Sequence, residues 1–223
     1  MNVLKISTLN TRGGGNKINE IISTIDKCGD DVICFQEMNE ISEIKKRIIE
    51  RKCEGAMYIN NGSSQSRGVA IFIRNKENII KKGVSKKDSC GRMIAVEIGH
   101  AGKSRVIFNL YAPNDIKQRH DFFVNVHKES ENCNGIIVYA GDFNCVLDKE
   151  MDRTNSDSSG ANKSDRSRDA LRRMIENSTV DVYRRLNPMG SSYTFTGSNE
   201  YRARLNRIYL DTETAESRRI QLV

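Results

Sequence analysis

Four short apolar runs in this chain each end in polar or acidic side chains: Leu9-Asn10, Phe35-Gln36-Glu37, Asn109-Leu-Tyr-Ala-Pro-Asn114 and Tyr139-Ala-Gly-Asp142-Phe-Asn144. A short apolar run bounded by polar residues reads as a buried strand. A strand end is where a rigid scaffold presents reactive groups to a cleft. One acid after a strand is ordinarily just the start of a solvated loop. Four such endings in 223 residues constrain the chain to a strand-rich fold with polar groups gathered at strand ends.

The remaining pattern agrees. Residues 3–9, 58–59, 68–74, 92–98, 105–111, 135–140, 192–196 and 204–210 read as strands, and 32–35 as a buried one. Gly99-His-Ala-Gly102 reads as a hairpin turn and 196–203 as a hairpin loop. Ile18, Ile21, Ile22 and Ile25 recur at helical spacing, and helices are expected over 40–52, 115–131 and 167–177. Residues 148–168, rich in Asp, Ser, Asn, Lys and Arg, are expected to form a mobile surface loop. Met93 and Phe108 are assigned to the core. With no repeat, Pro-rich linker or domain boundary, the expectation is a single domain over 1–223, an α/β (α+β) sandwich.

Composition narrows the function. Lys plus Arg exceed Asp plus Glu by 36 − 29 = 7. A positive field of this kind suits a polyanion such as nucleic acid, or simply a Lys-rich solvated face. The pairs Lys81-Lys82 and Lys86-Lys87 admit the same two readings. No long apolar run suggests a membrane span, and the N-terminal residues lack the pattern of a secretion signal. The six cysteines form no CxxC pair, so they read as reduced thiols of an intracellular protein, with no structural zinc site.

Taken together, the four segments resemble the endonuclease/exonuclease/phosphatase superfamily, Gly-Asp142-Phe-Asn144 most specifically. Further on come Met-Asp-Arg153-Thr (151–154), Asp-Val-Tyr-Arg-Arg-Leu-Asn-Pro (181–188), Tyr-Thr-Phe (193–195) and Arg-Leu-Asn206-Arg-Ile-Tyr (204–209). That succession is similar to the endonuclease domain of LINE-type non-LTR retrotransposons over nearly the whole chain. The resemblance implies a four-layered α/β sandwich with two packed, mostly antiparallel sheets flanked by helices. It also implies a Mg²⁺-dependent endonuclease, with Mn²⁺ as the alternative ion. Such an enzyme would nick double-stranded DNA and leave a 3′-hydroxyl to prime reverse transcription. The partner reverse transcriptase would lie downstream in the same polypeptide, and the place of action would be the nucleus.

The residue types fit that chemistry. Glu37 is a hard oxygen ligand suited to Mg²⁺, and Asn10 a neutral co-ligand. Asp142 is placed to orient or deprotonate a water. Asn144 two residues on, Tyr111 with its phenol and Asn206 complete the expected catalytic set. Each also has a plain reading: turn residues for Asn10, Asp142 and Asn144, a strand-face aromatic for Tyr111. Asn114, Arg153, Thr194, Tyr201 and Arg202 are the candidate DNA contacts, Arg153 because a guanidinium grips phosphate in two places. Cys145 follows the motif but has no activating neighbour in sequence, so it is not a nucleophile.

Two departures from the family stand out. Asn206 occupies the place of an acid. The terminal Ser-Asp-His segment is missing, since His100, His120 and His127 all precede Asp142. Residues 219–223 read as the strand leading into that segment, so a domain without its C-terminal catalytic strand and loop is expected. Loss of a catalytic histidine costs roughly 3–6 kcal/mol of barrier. The alternatives are an abasic-site repair endonuclease of the same fold and a catalytically impaired DNA-binding relic.

Overall fold

The computed structural model describes residues 3–154, 165–176 and 179–217. The chain divides into two compact units, Met1–Tyr111 with Cys133–Gly141, and Ala112–Asn132 with Asp142–Val223. It passes from one unit to the other directly after Tyr111 and again after Gly141.

The first unit is built on β2 (Val32–Gln36), buried along its whole length. β1 (Ile6–Asn10) pairs with it in parallel. β4 (Val69–Arg74) pairs with it antiparallel, and β3 (Gly55–Asn60) with β4. Helix α1 (Ile18–Cys28) presents the expected isoleucine stripe and ends at Gly29 in the left-handed region. Helix α2 (Glu43–Lys52) starts later than residue 40, because Ser42 caps it by accepting the Lys45 amide. Ile21 and Ile25 of α1 and Ile49 of α2 close over Ile33, Phe35, Met57 and Phe72 of the sheet.

The second sheet of this unit runs in the order β5 (Ile79–Lys87), β6 (Met93–His100), β7 (Lys103–Tyr111) and β8 (Ile136–Asp142). Strand β5 is a correction: its lysines read as a charge cluster, not a strand. Register shifts at Lys81/Gly83 and Val84/Lys86 break the two-residue period that would have revealed it. Its lysines belong to an edge strand, where they discourage further pairing. The β6–β7 hairpin turns tightly on Ala101 and Gly102, both at positive φ (51° and 73°). The two sheets pack together, fastened by buried Asn109. Its amide donates to Phe35 O and Ala70 O at 2.8 Å, and Gln36 Nε2 donates to its Oδ1 at 2.7 Å. Met93 and Phe108 lie in the core as expected.

In the second unit, α3 (Ile116–Glu131) is capped by Asp115 and packs on α4 (Arg166–Ile175). β9 (Thr179–Asp181) pairs antiparallel with β12 (Asn206–Asp211), preceded by α5 (Val182–Leu186) and followed by α6 (Thr212–Ser217). The strand expected over 192–196 contracts to β10 (Phe195–Thr196), which forms a hairpin with β11 (Arg202–Ala203). Phe143 stacks on Phe123 and meets the edge of Tyr209 in this unit's core. β9, α5 and α6 carry too few residues to show a period in the sequence. The middle of the polar loop (155–164), the end of the expected 167–177 helix and the 219–223 segment lie outside the described residues.

The α/β class and the mostly antiparallel sheets flanked by helices are as expected. Among the described residues, no helix is long and apolar enough to cross a membrane.

Candidate active site

The β1–β2 register pairs Asn10 with Gln36, so the two strands finish side by side and Glu37 follows at once. Asn10 Nδ2 donates to Glu37 Oε1 at 2.8 Å, while Asn10 Oδ1 accepts the Arg12 amide at 3.1 Å. Glu37 sits at φ 54°, a left-handed conformation that costs a non-glycine residue about 1–3 kcal/mol. Its surroundings enforce it: the Glu37 carbonyl accepts from the amides of Gly13 and Gly14 at 2.8 and 3.2 Å and from the Thr11 hydroxyl at 3.0 Å. Sequence reading cannot see this strain, because it lives in the loop closure rather than in residue type.

Glu37 and Tyr111 line one cleft of about 330 Å³, together with Arg12, Asn39 and Arg67. Tyr111 rests on the Arg92 guanidinium, 5.0 Å from its ring centre, and Arg92 Nη1 donates to the Tyr111 carbonyl at 3.1 Å. Burial holds Arg92 below its ordinary pKa, Tyr111 opposes that, and the nearby Arg67 charge adds to it. Stacking on Arg92 orients the phenol, a role the sequence did not suggest.

Among the described residues no three His, Cys, Asp or Glu side chains cluster. Mg²⁺ asks for less, usually one or two carboxylates with water and substrate phosphate completing the shell. Glu37 fits that demand. Asn10, the expected co-ligand, holds that carboxylate through its amide nitrogen.

The second unit gathers Asp142, Asn144 and Asn206. Asp142 is buried, and its Oδ1 accepts the Asn144 amide at 3.0 Å. Asn144 adopts φ 44°, and its Nδ2 donates to Ala112 O at 2.8 Å, while Ala112 N donates to Asp142 O at 2.9 Å. Phe143, between them, donates its amide to Leu205 O, next to Asn206. The Thr194 hydroxyl accepts the amides of both Leu205 and Asn206 at 2.9 Å. Thr194 therefore clamps the start of β12, a structural role the sequence reading did not assign.

Asn114 is exposed on the turn after Pro113. That turn is held by buried Arg119, which donates to Pro113 O at 3.2 Å and Asn114 O at 2.8 Å, and also to Ser167 and Asp165. Tyr201 meets Phe195 edge-on at 6.3 Å, and Arg202 is exposed. Arg153 forms a β-bridge to Ala203, and its buried Nε has no hydrogen-bond partner among the described residues.

One cluster was missed. Asp152, the acid beside Arg153, accepts from Arg204 Nε at 2.8 Å, Arg184 Nη2 at 2.6 Å and Arg207 Nη2 at 3.4 Å. Asp181 accepts from Arg204 Nη2 at 2.8 Å. Burial alone would raise the Asp152 pKa. The hydrogen bond and charge of Arg204, with Arg207 and Arg184, outweigh it and hold the carboxyl below its usual value. The signal lay inside motifs already noted, but the reading assigned function to Arg153 and Asn206 instead of their neighbours. Cys145 is buried, and burial pushes its thiol up, so it stays protonated.

The family model described as Endonuclease/Exonuclease/phosphatase family matches residues 7–221, and the chain belongs to that family. A curated relative is the "Transposon TX1 uncharacterized 149 kDa protein" of Xenopus laevis, 27% identical over 218 residues. The match covers 94% of this chain and 16% of that protein, so the chain spans about a sixth of its relative's length. Among solved structures, an AP endonuclease from Archaeoglobus fulgidus superposes with TM-score 0.77 at 20% identity, covering 96% of this chain and 89% of that one. A 3′ phosphatase from Neisseria bound to product DNA hairpin gives TM-score 0.73 at 16% identity, covering 96% and 89%. At these identities the structural likeness concerns the fold.

Proposed function

We propose that this chain is a divalent-metal-dependent endonuclease that nicks double-stranded DNA. The observation that carries the reading is the Glu37 carboxylate, fixed by Asn10 on strained backbone in an open polar cleft. Strain of that kind concentrates at functional sites. Glu37 would hold Mg²⁺, or Mn²⁺ in its place. When bound, the ion offsets phosphate charge and polarises the P–O bonds.

The chain's own groups do the rest. The Asp142 carboxylate orients a water and takes its proton as the water oxygen attacks phosphorus. Asn144 holds Asp142 in place through its backbone amide. Asn206 donates to a phosphate oxygen as a neutral amide. The Tyr111 phenol, fixed on Arg92, hydrogen-bonds the phosphate. The P–O3′ bond breaks and O3′ takes a proton from solvent, leaving a 3′-hydroxyl on one end and a 5′-phosphate on the other, while Asp142 releases its proton to solvent. Asn114, Arg153, Thr194, Tyr201 and Arg202 contact the duplex around the cut.

The role proposed for the nick is to prime reverse transcription in the nucleus, by a reverse transcriptase domain downstream in the same polypeptide; the transposon relative supports the link to a mobile element. The test is nicking of supercoiled plasmid in Mg²⁺ beside Asp142→Ala, with intact and abasic duplexes compared in parallel. Metal-dependent nicking that Asp142→Ala abolishes is expected. No nicking, or equal nicking by the variant, would sink the reading. Cleavage confined to the abasic duplex would reassign the chain to repair.

A further inference from the structure

Arg12 and Arg67 line the cleft of Glu37 and Tyr111, and both are exposed. Among the described residues neither guanidinium has a hydrogen-bond or ion-pair partner. Other arginines of the same unit are engaged: Arg74 donates to Ile25 O, Arg92 to Tyr111 O and Arg105 to His100 O.

Their backbone is also anomalous. Arg12 lies at φ 48° and Arg67 at φ 68°, flanking the left-handed Glu37 and Asn39 of the same cleft. Glycine would hold such a conformation at lower cost. The backbone itself is secured by groups independent of the arginine side chains. Asn10 Oδ1 accepts the Arg12 amide at 3.1 Å, and Arg67 O accepts the Asn39 amide at 2.7 Å. The fold thus tolerates a long cationic side chain at two places where it gains nothing from either. Arg92, stacked on Tyr111, deepens the positive field on the same wall.

We propose that Arg12 and Arg67 are phosphate-binding residues that grip the DNA backbone beside the phosphate facing Glu37. The proposal rests on the nuclease reading and extends it to two residues outside the set drawn from the sequence. A guanidinium offers a planar fork that matches two phosphate oxygens. Contacts of this kind fix the register of the duplex without reading its sequence. They also release counterions, so they carry a salt signature.

The test is fluorescence anisotropy of a labelled duplex in EDTA, over a series of NaCl concentrations. Wild type is compared with Arg12→Gly, Arg67→Gly, the double variant and the double lysine variant. Each glycine substitution is expected to lower the slope of log Kd against log [NaCl] by about 1, and the pair by about 2. Lysine should restore the slope but not the full affinity, since it keeps the charge and loses the fork. Glycine relieves the backbone, so melting temperatures should hold or rise. A double glycine variant with the wild-type slope overturns the proposal. So does a fall in melting temperature, which would show that the side chains serve the fold. If wild type nicks plasmid and the slope is still unmoved, only this proposal fails. If wild type neither binds nor nicks, both readings fail.

Discussion

Asn10 donates its side-chain amide to Glu37 at 2.8 Å, from the end of the strand that runs parallel to Glu37's own. The bond fixes a carboxylate rotamer without bringing in charge. A second carboxylate at position 10 would also supply oxygen, but it would repel Glu37 at that distance.

Glu37→Gln keeps the shape and can still accept from Asn10, so the fold should be unaffected. Its loss of charge should lower Mg²⁺-dependent nicking by about two to three decades. Plasmid nicking at saturating Mg²⁺ measures it, and activity within threefold of wild type would remove Glu37 from the ligand role.

Asn10→Ala frees the carboxylate it now holds. Loss of a group that orients a ligand typically weakens metal affinity about 10- to 100-fold. The Mg²⁺ concentration for half-maximal nicking should rise by that factor, with kcat at saturating Mg²⁺ near that of wild type. An unchanged Mg²⁺ requirement would mean that the Asn10–Glu37 bond serves the loop alone.

Asp152→Asn should destabilise the chain by about 3 kcal/mol, the low end for a broken buried pair, because buried Arg204 and Arg207 lose one of two counter-charges and keep only Asp181. Urea unfolding reads this directly. Asp152 has a folded pKa below its ordinary 3.8. A depressed carboxyl stabilises above its unfolded value, and the contribution disappears as pH falls through the folded one. Wild-type stability should therefore fall below about pH 4. That fall should be shallower in Asp152→Asn, though not absent, because Asp165 is depressed as well. Identical acid profiles would rule out the linkage.

Gly141→Ala tests the approach to Asp142. Gly141 lies at φ 142°, and a Cβ there would meet Leu110 O at 2.0 Å. Both effects oppose alanine, and the loss should be about 2–3 kcal/mol. A variant within half a unit of wild type on that scale (about 0.5 kcal/mol) would mean that β7 and β8 yield easily.

The sequence disclosed more of the scaffold than of the chemistry around it. The buried run of β2 and the isoleucine stripe of α1 survive in a one-dimensional reading because their periods are long enough to count. β5 did not, because two register shifts spoil its alternation. At the candidate site, Glu37, Asp142 and Asn144 were visible as strand-end polar residues. Arg119 was not, since its partners lie 5, 6, 46 and 48 residues away. Nor was Asp152, whose guanidinium partners lie 32, 52 and 55 residues further along the chain. Ion pairs of that span leave no local period.

The β10–β11 hairpin is held to its surroundings through main-chain groups. The Thr154 amide donates to Arg202 O, its hydroxyl accepts the Arg202 amide and donates to Glu200 O, and the Thr194 amide donates to Ala203 O. Each of these bonds ends on a main-chain group, so none depends on which side chains residues 197–200 carry. The base can stay fixed while the tip is rewritten residue by residue, and Asn206 keeps its place throughout. The hairpin is thus an exchangeable fitting on a constant mount; under the proposed function it is the part of this chain where new preferences for DNA can arise at least expense to the fold.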